Sequence, residues 1–195
     1  MQNMDLSKLN PGVFIVMGFP GSGKTSVAKY LVNQVKKFQT VTTDQIRLEM
    51  RLPARDENEQ ITETVYERLA LQALSSIEMK KTPILDATFY KKKLRDIVYN
   101  ILKNKVKNMF LILIEADKNV CKERIFGRKH KSTYHGVDDA TVFSNILRVF
   151  EVPTEDEMNS FTGWLRVASN SMPRQILSWS GDFPERIIKL IAQSN

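Results

Sequence analysis

Short runs of consecutive apolar residues alternate along this chain with stretches whose apolar positions recur every three or four residues. Residues 13–17, 83–87 and 109–114 are of strand length, and their only charged member is Asp86; such runs suit strands buried on both faces of a parallel sheet. The β-branched run 40–43 and residues 175–179 add two more strands. Between them, Val27, Ala28, Leu31, Val32 and Val35 have helical spacing, and residues 62–79 carry two stripes, Val65-Leu69-Ala73-Ile77 and Tyr66-Ala70-Leu74. Leu94, Ile97, Val98, Ile101 and Leu102 mark a further helix, and the apolar positions from Val142 to Phe150 another that ends before Pro153. Asp117 reads as the cap of a helix carrying Val120, Arg124, Ile125 and Arg128. A helical turn fits residues 45–50, and a short helix with proline in its first turn fits 184–192. The polar stretch 51–60 and the basic, glycine-bounded stretch 127–136 read as loops, and residues 161–172 as strand or loop. The alternation predicts one α/β domain over residues 1–195. Its three α/β/α layers enclose a mostly parallel five-stranded sheet, with ligands at the strand C-termini.

The break after the first strand carries the most chemistry. Gly18, Phe19, Pro20, Gly21, Ser22, Gly23, Lys24 and Thr25 form a complete G-x-x-x-x-G-K-S/T phosphate-binding loop between a predicted strand and a predicted helix. Glycines there let backbone N–H groups curve inward, and the helix start adds its positive dipole end. The eight residues and Ser26 are the candidate triphosphate site, which makes this a P-loop NTPase fold. Lys24 is placed to reach the β- and γ-phosphates and Thr25 to ligate Mg²⁺. The competing reading is a Gly/Ser turn before an ordinary helix.

With 195 residues, 42% of them hydrophobic, the chain fits one domain with a full core. Residues 1–11 are polar and lack the basic start and apolar stretch of a secretory signal. No apolar run approaches the roughly 20 residues of a membrane span. The single cysteine, Cys121, excludes an internal disulfide framework and fits a reducing compartment, so a cytoplasmic location without membrane contact is expected. Net charge is +7, and residues 91–131 hold 13 Lys/Arg against four Asp/Glu. Such a block suits phosphates of a nucleotide or of a nucleic acid; solvated helix faces would also produce it.

Asp44 and Asp86 close predicted strands, where this fold class binds ligands. Asp86 is a candidate water-mediated Mg²⁺ ligand beside Thr25, or a helix cap. Arg47 follows Asp44 by three residues, so a carboxylate able to take a hydroxyl proton and a guanidinium able to hold an anionic acceptor would share one side of a helical turn. An N-cap aspartate with an exposed, salt-bridged arginine is the alternative. Arg124 and Arg128, four apart, lead into the basic loop; a guanidinium swung over the γ-phosphate from such a lid would stabilise transition-state charge. His130 and His135 have no metal-ligand spacing.

Taken together, these motifs resemble the P-loop kinases of the polynucleotide-kinase-like type, also filed as AAA-like ATPase domains. They are G-x-P-G-S-G-K-T at residues 18–25, T-D-x-x-R at 43–47, L-D-A-T at 85–88, R-x-x-x-R at 124–128 and F-E-x-P at 150–153, and the likeness runs from Val13 to about Glu157. The resemblance implies Mg²⁺-dependent transfer of phosphate from ATP to a hydroxyl. It implies Asp44 as general base, Arg47 on the acceptor, and Arg128 on the ATP phosphates from a lid at about residues 127–137. Phe89 stands where members of the family commonly carry Asn after L-D-A-T. Related kinases act on seryl-tRNA, gluconate, adenylylsulfate, antibiotics or sugar nucleotides. The acceptor is therefore expected to be a nucleic-acid 5′-hydroxyl or a small phosphorylated or anionic metabolite, and the protein a monomer or small homo-oligomer. A nucleotide-dependent switch ATPase acting with a protein partner, and a nucleic-acid-binding module with a vestigial loop, are the other classes compatible with the motifs.

Overall fold

The computed structural model describes residues 12–52, 58–127 and 139–194. Six strands form one sheet in the order β2-β3-β1-β4-β5-β6. These are β1 (Gly12–Gly18), β2 (Phe38–Thr42), β3 (Thr82–Asp86), β4 (Asn108–Glu115), β5 (Gly163–Ala168) and β6 (Gln175–Gly181). The first five are parallel, and β6 lies antiparallel to β5 at the edge.

The two buried runs read from the sequence are the middle of this sheet. In β1, Val13, Ile15 and Met17 enter one core with Met109, Leu111 and Leu113 of β4, while Phe14 and Val16 enter the other with Phe110, Ile112 and Ile114. A two-residue side-chain period with helices on both faces leaves no polar position within residues 13–17 or 109–114. The first core is covered by α3 (Glu59–Glu78) and α4 (Lys92–Leu102), through Val65, Leu69, Ala73, Leu94 and Val98. The second is covered by α1 (Lys24–Gln34) and α8 (Glu185–Gln193), through Val27, Leu31, Ile187 and Ile191. The three-layer α/β/α architecture is thus present.

The sheet has one strand more than the predicted five, because residues 163–168 are β5. Its apolar period is interrupted by Arg166, which makes a bidentate pair with Glu115 of β4, at 2.6 Å from Nε and 3.1 Å from Nη2. That partner is 51 residues away in sequence, which hides the strand from local pattern. Two further departures concern helices. The turn after β2 is α2 (Thr43–Glu49), so Thr43 and Asp44 belong to a helix rather than to the strand tip. Residues Glu155–Asn159 form a short helix, α7. The remaining helices, α5 (Lys118–Phe126) and α6 (Asp139–Val149), flank the predicted lid.

Arg95 of α4 ties the 151–157 segment to the body. Its side chain and that of Glu157 are 4% and 10% exposed and form a two-pronged pair, Nη2 donating at 3.0 Å. Its Nη1 also donates to the carbonyls of Phe89 and Glu151, both at 2.8 Å. Removing one member of a buried pair strands the other charge. Arg95→Ala is therefore expected to lower unfolding stability by about 3–5 kcal/mol in urea titrations; a loss below about 1 kcal/mol would place Glu157 in contact with water.

Candidate functional site: the P-loop and the strand ends

The chain leaves β1 at Gly18 and curls at once. The Phe19 carbonyl accepts from the Ser22 N–H and from Lys24 Nζ, both at 3.0 Å. Gly21 and Gly23 have φ of 82° and 98°, in the left-handed region that favours glycine. A Cβ on Gly21 would also fall 2.4 Å from the Cys121 carbonyl oxygen. Gly23 opens α1 without any side-chain cap, so the first amides of that helix are left for a ligand, and Thr25 and Ser26 are exposed beside them. Pro20 and Ser22 are buried. From the other side, Phe19 is braced edge-on by Phe143 of α6 and by Phe150, with ring centroids at 4.9 and 5.5 Å. Cys121 is buried in the same small apolar cluster, which holds its thiol above the usual range; it packs rather than reacts.

Sheet register brings the second half of the site to the loop. Asp86, the last residue of β3, is in register with Val16 of β1 and with Thr42 of β2. Its carboxylate is 7% exposed and accepts a hydrogen bond from the Thr25 hydroxyl. Burial pushes its pKa up; the nearby Lys24 ammonium and the Thr25 hydroxyl oppose this, and Asp44 adds to it. The capping alternative for Asp86 does not apply, since the N-cap of α4 is Lys91 and no side chain caps that helix.

The elevated pKa has a stability consequence with a definite sign. A carboxyl whose folded pKa is raised contributes stability that is complete below its unfolded pKa and is lost as pH rises through the folded one. Asp86→Asn should therefore gain stability relative to wild type as pH rises from the ordinary carboxylate range towards neutrality. Urea midpoints of both proteins across that range test this. A difference that shrinks with rising pH contradicts a buried carboxylate whose pKa is raised.

Asp44 sits exposed in the first turn of α2, and the cap of that helix is Thr42, whose hydroxyl accepts from the Gln45 N–H at 3.0 Å. The N-cap reading of Asp44 is thereby replaced. Arg47 is not an exposed arginine either: it is 7% exposed and its Nη2 donates to Thr62 Oγ1 of α3 at 3.1 Å. Phe89 explains its own place in the L-D-A-T sequence. It is fully buried at φ 50°, its N–H donates to the Tyr66 hydroxyl at 3.0 Å, and its ring packs edge-on against Tyr66. A position expected to carry a polar contact is here an apolar wall.

Arg124, in the last turn of α5, donates through Nη2 to the carbonyl of Ser169 just beyond β5. Arg128, His130, His135 and the predicted lid beyond Gly127 lie outside the described residues. Ser169 and Arg174, both buried beside Gly23, were not anticipated. They belong to a stretch without periodicity, and the only local signal was a lone arginine before a strand. The basic block is also less open than its count suggests, since Lys91, Lys92 and Lys93 pair with Glu59, Asp96 and Glu63.

Among the described residues no group of three or more His, Cys, Asp or Glu could enclose a metal ion. The hydroxyl of Thr25 and the carboxylate of Asp86 are instead a sparse, hard-oxygen donor pair. That suits Mg²⁺, which keeps waters and phosphate oxygens as its remaining ligands. No described helix is long and apolar enough to cross a membrane.

Comparison with known proteins agrees with this geometry. Several solved structures share the fold over nearly the whole chain. The Mycobacterium tuberculosis APS kinase CysC, in complex with AMPPNP and APS, aligns with a TM-score of 0.61 at 15% identity over 94% of this chain and 96% of its own. Chaetomium thermophilum Kti12, in complex with ADP-AlF3, aligns at 0.62 and 16% over 93% and 95%. A chain of the Pnkp1/Rnl/Hen1 RNA repair complex aligns at 0.55 and 18%, over 73% of this chain and 47% of that one. At such identities the likeness is one of fold. A search of curated proteins finds no match. Residues 13–153 match the family described as the AAA domain. The span from the first strand of the sheet through the P-loop, Asp44, Asp86 and the segment after α6 is therefore that family's, and the chain belongs to it, with a kinase-like P-loop NTPase fold.

Proposed function

We propose that this protein is a Mg²⁺- and ATP-dependent kinase of the cytoplasm, a single domain over residues 1–195 that transfers the γ-phosphoryl group to a hydroxyl. The observation that carries the reading is the register that sets Asp86 level with Val16, just before the P-loop, and with Thr42, just before Asp44, so that Lys24, Thr25 and Asp44 all bear on that one buried carboxylate. In this reading the loop amides, Gly18 to Thr25 with Ser26, hold the phosphates, and Lys24 neutralises charge on the β- and γ-groups. Thr25 and Asp86 would hold Mg²⁺, which when bound draws charge from the β- and γ-oxygens. Asp44 takes the proton of the incoming hydroxyl, Arg47 helps hold the acceptor, Arg124 serves the phosphates from the end of α5, and Arg128 serves them from a lid at residues 127–137.

The acceptor is a nucleic-acid 5′-hydroxyl or a small phosphorylated or anionic metabolite. A second reading, a nucleotide-dependent ATPase acting with a protein partner, is favoured by one observation: Arg47 is turned onto Thr62 and buried rather than held open for an acceptor. The two are separated by label transfer from γ-labelled ATP with Mg²⁺. The panel offered is 5′-hydroxyl RNA and DNA oligonucleotides, tRNA and small hydroxylated metabolites. Label on one of these establishes the kinase and its substrate class, whereas free phosphate alone supports the ATPase. Size-exclusion chromatography with light scattering decides between monomer and small homo-oligomer.

A further inference from the structure

Behind the start of α1 lie Arg174 and Ser169, for which the roles above leave no use. Arg174 is 3% exposed. One side of its guanidinium is occupied, with Nη1 donating to the Ser194 carbonyl at 2.8 Å and to the Ser194 hydroxyl at the end of α8. The two donors on the other side, Nε and Nη2, are buried without a hydrogen-bond partner among the described residues. The same holds for Ser169 Oγ, for Ser22 Oγ in the P-loop and for Arg124 Nη1. Two of these groups, those of Arg174 and Ser169, meet at Gly23. A Cβ on Gly23 would lie 3.0 Å from Ser169 Oγ and 3.9 Å from Arg174 Nη2, and Arg124 reaches the Ser169 carbonyl through Nη2.

Among the described residues no carboxylate pairs with Arg124 or Arg174. Burial, and after it the charge of Arg124, hold Arg174 below the usual arginine pKa, yet a guanidinium remains a cation at physiological pH. Two neighbouring cations, one of them almost wholly buried, with idle donors and no counter-ion, are costly to a folded protein. The missing charge is negative, and the uncapped start of α1 where the cluster lies is the place where such a ligand binds.

We propose that Arg174, with Arg124 beside it, is a fixed positive charge held under Gly23 for the phosphate chain of the bound nucleotide. This rests on the P-loop kinase reading. Arg174 is a positioning residue: its polar atoms are sealed beneath the loop, so it acts on the phosphates through the field at the helix start and not by touching the transferred group. A charge preorganised in a poorly screened place needs no rearrangement when the ligand arrives. Its effect must grow with the charge of the ligand.

The test is nucleotide affinity, by titration calorimetry, of wild type, Arg174→Gln, Arg174→Lys and Lys24→Ala for ATP, ADP and AMP. Arg174→Gln is expected to weaken ATP by about 10- to 30-fold, from one charge acting at several ångströms in a partly screened medium. ADP should weaken less and AMP least, and Arg174→Lys should recover most of the loss. Without nucleotide, Arg174→Gln should melt no lower than wild type, because it removes an uncompensated buried charge. Equal losses for all three nucleotides would mean that the group reads the nucleoside, and would overturn the proposal. So would unchanged ATP affinity, or a nucleotide-free protein that is destabilised while its affinities stay intact. If Arg174→Gln does not fold, Arg174→Met replaces it, and failure of both while Arg174→Lys folds would make the charge structural. Wild type that binds none of the nucleotides, or binds them no better than Lys24→Ala does, would instead remove the P-loop reading itself.

Discussion

Lys24→Ala is expected to reduce phosphoryl transfer by about 10²- to 10³-fold, the usual loss when one preorganised electrostatic contact to a transition state is removed. The protein should meanwhile melt close to wild type. Lys24 is 9% exposed, and its ammonium donates to the Phe19 carbonyl. That carbonyl also accepts from the Ser22 N–H, so truncation does not orphan it. What changes is electrostatic: Asp86 loses its principal favourable charge partner, and its pKa should climb further above the usual carboxylate range. Steady-state transfer and differential scanning fluorimetry measure the two halves. Wild-type rates would end the assignment of Lys24 to the phosphates, and a collapsed melting temperature would make it a structural cation.

Asp44→Asn should lower transfer by about 10²- to 10⁴-fold, the span typical of a positioned general base, with ATP affinity unchanged. The expectation of an intact fold rests on α2. Thr42 supplies the cap, Asp44 is exposed, and the only helical interaction lost is that of a carboxylate with the helix start, worth about 0.3–1 kcal/mol. Comparing kcat with the dissociation constant for ATP separates the roles. Equal loss of both would make Asp44 part of the nucleotide site. Transfer at the wild-type rate with intact folding would favour an ATPase that needs no base for an acceptor.

Much of this was legible because it is local. A phosphate-binding loop is a statement about consecutive backbone amides, so its eight residues announce it, and the apolar runs of β1 and β4 declare strands covered on both faces. The layer order followed from alternation alone. Three readings needed the fold. Asp44 and Arg47 look alike in sequence as a charged pair on a turn, yet one faces solvent and the other is buried against Thr62, fifteen residues on. Phe89 reads as a departure from a polar pattern until Tyr66, 23 residues earlier, is seen to receive its N–H and its ring. Residues 163–168 become a strand only beside Glu115, which pairs with the arginine that interrupts their period.

By itself, then, the sequence determined that a triphosphate-binding loop stands between a buried strand and a helix in an α/β fold. Periodicity and backbone chemistry act between near neighbours, and that is all such a conclusion requires. Tertiary structure alone decided which charges matter. Asp86 is pushed from the ordinary carboxylate range because β1 and β2 enclose it, and Arg174 is a cation without a counter-ion among the described residues because the ends of β5 and α8 fold over it beside Gly23. The energy of a charge depends on what surrounds it in three dimensions, and those surroundings come from residues far apart along the chain.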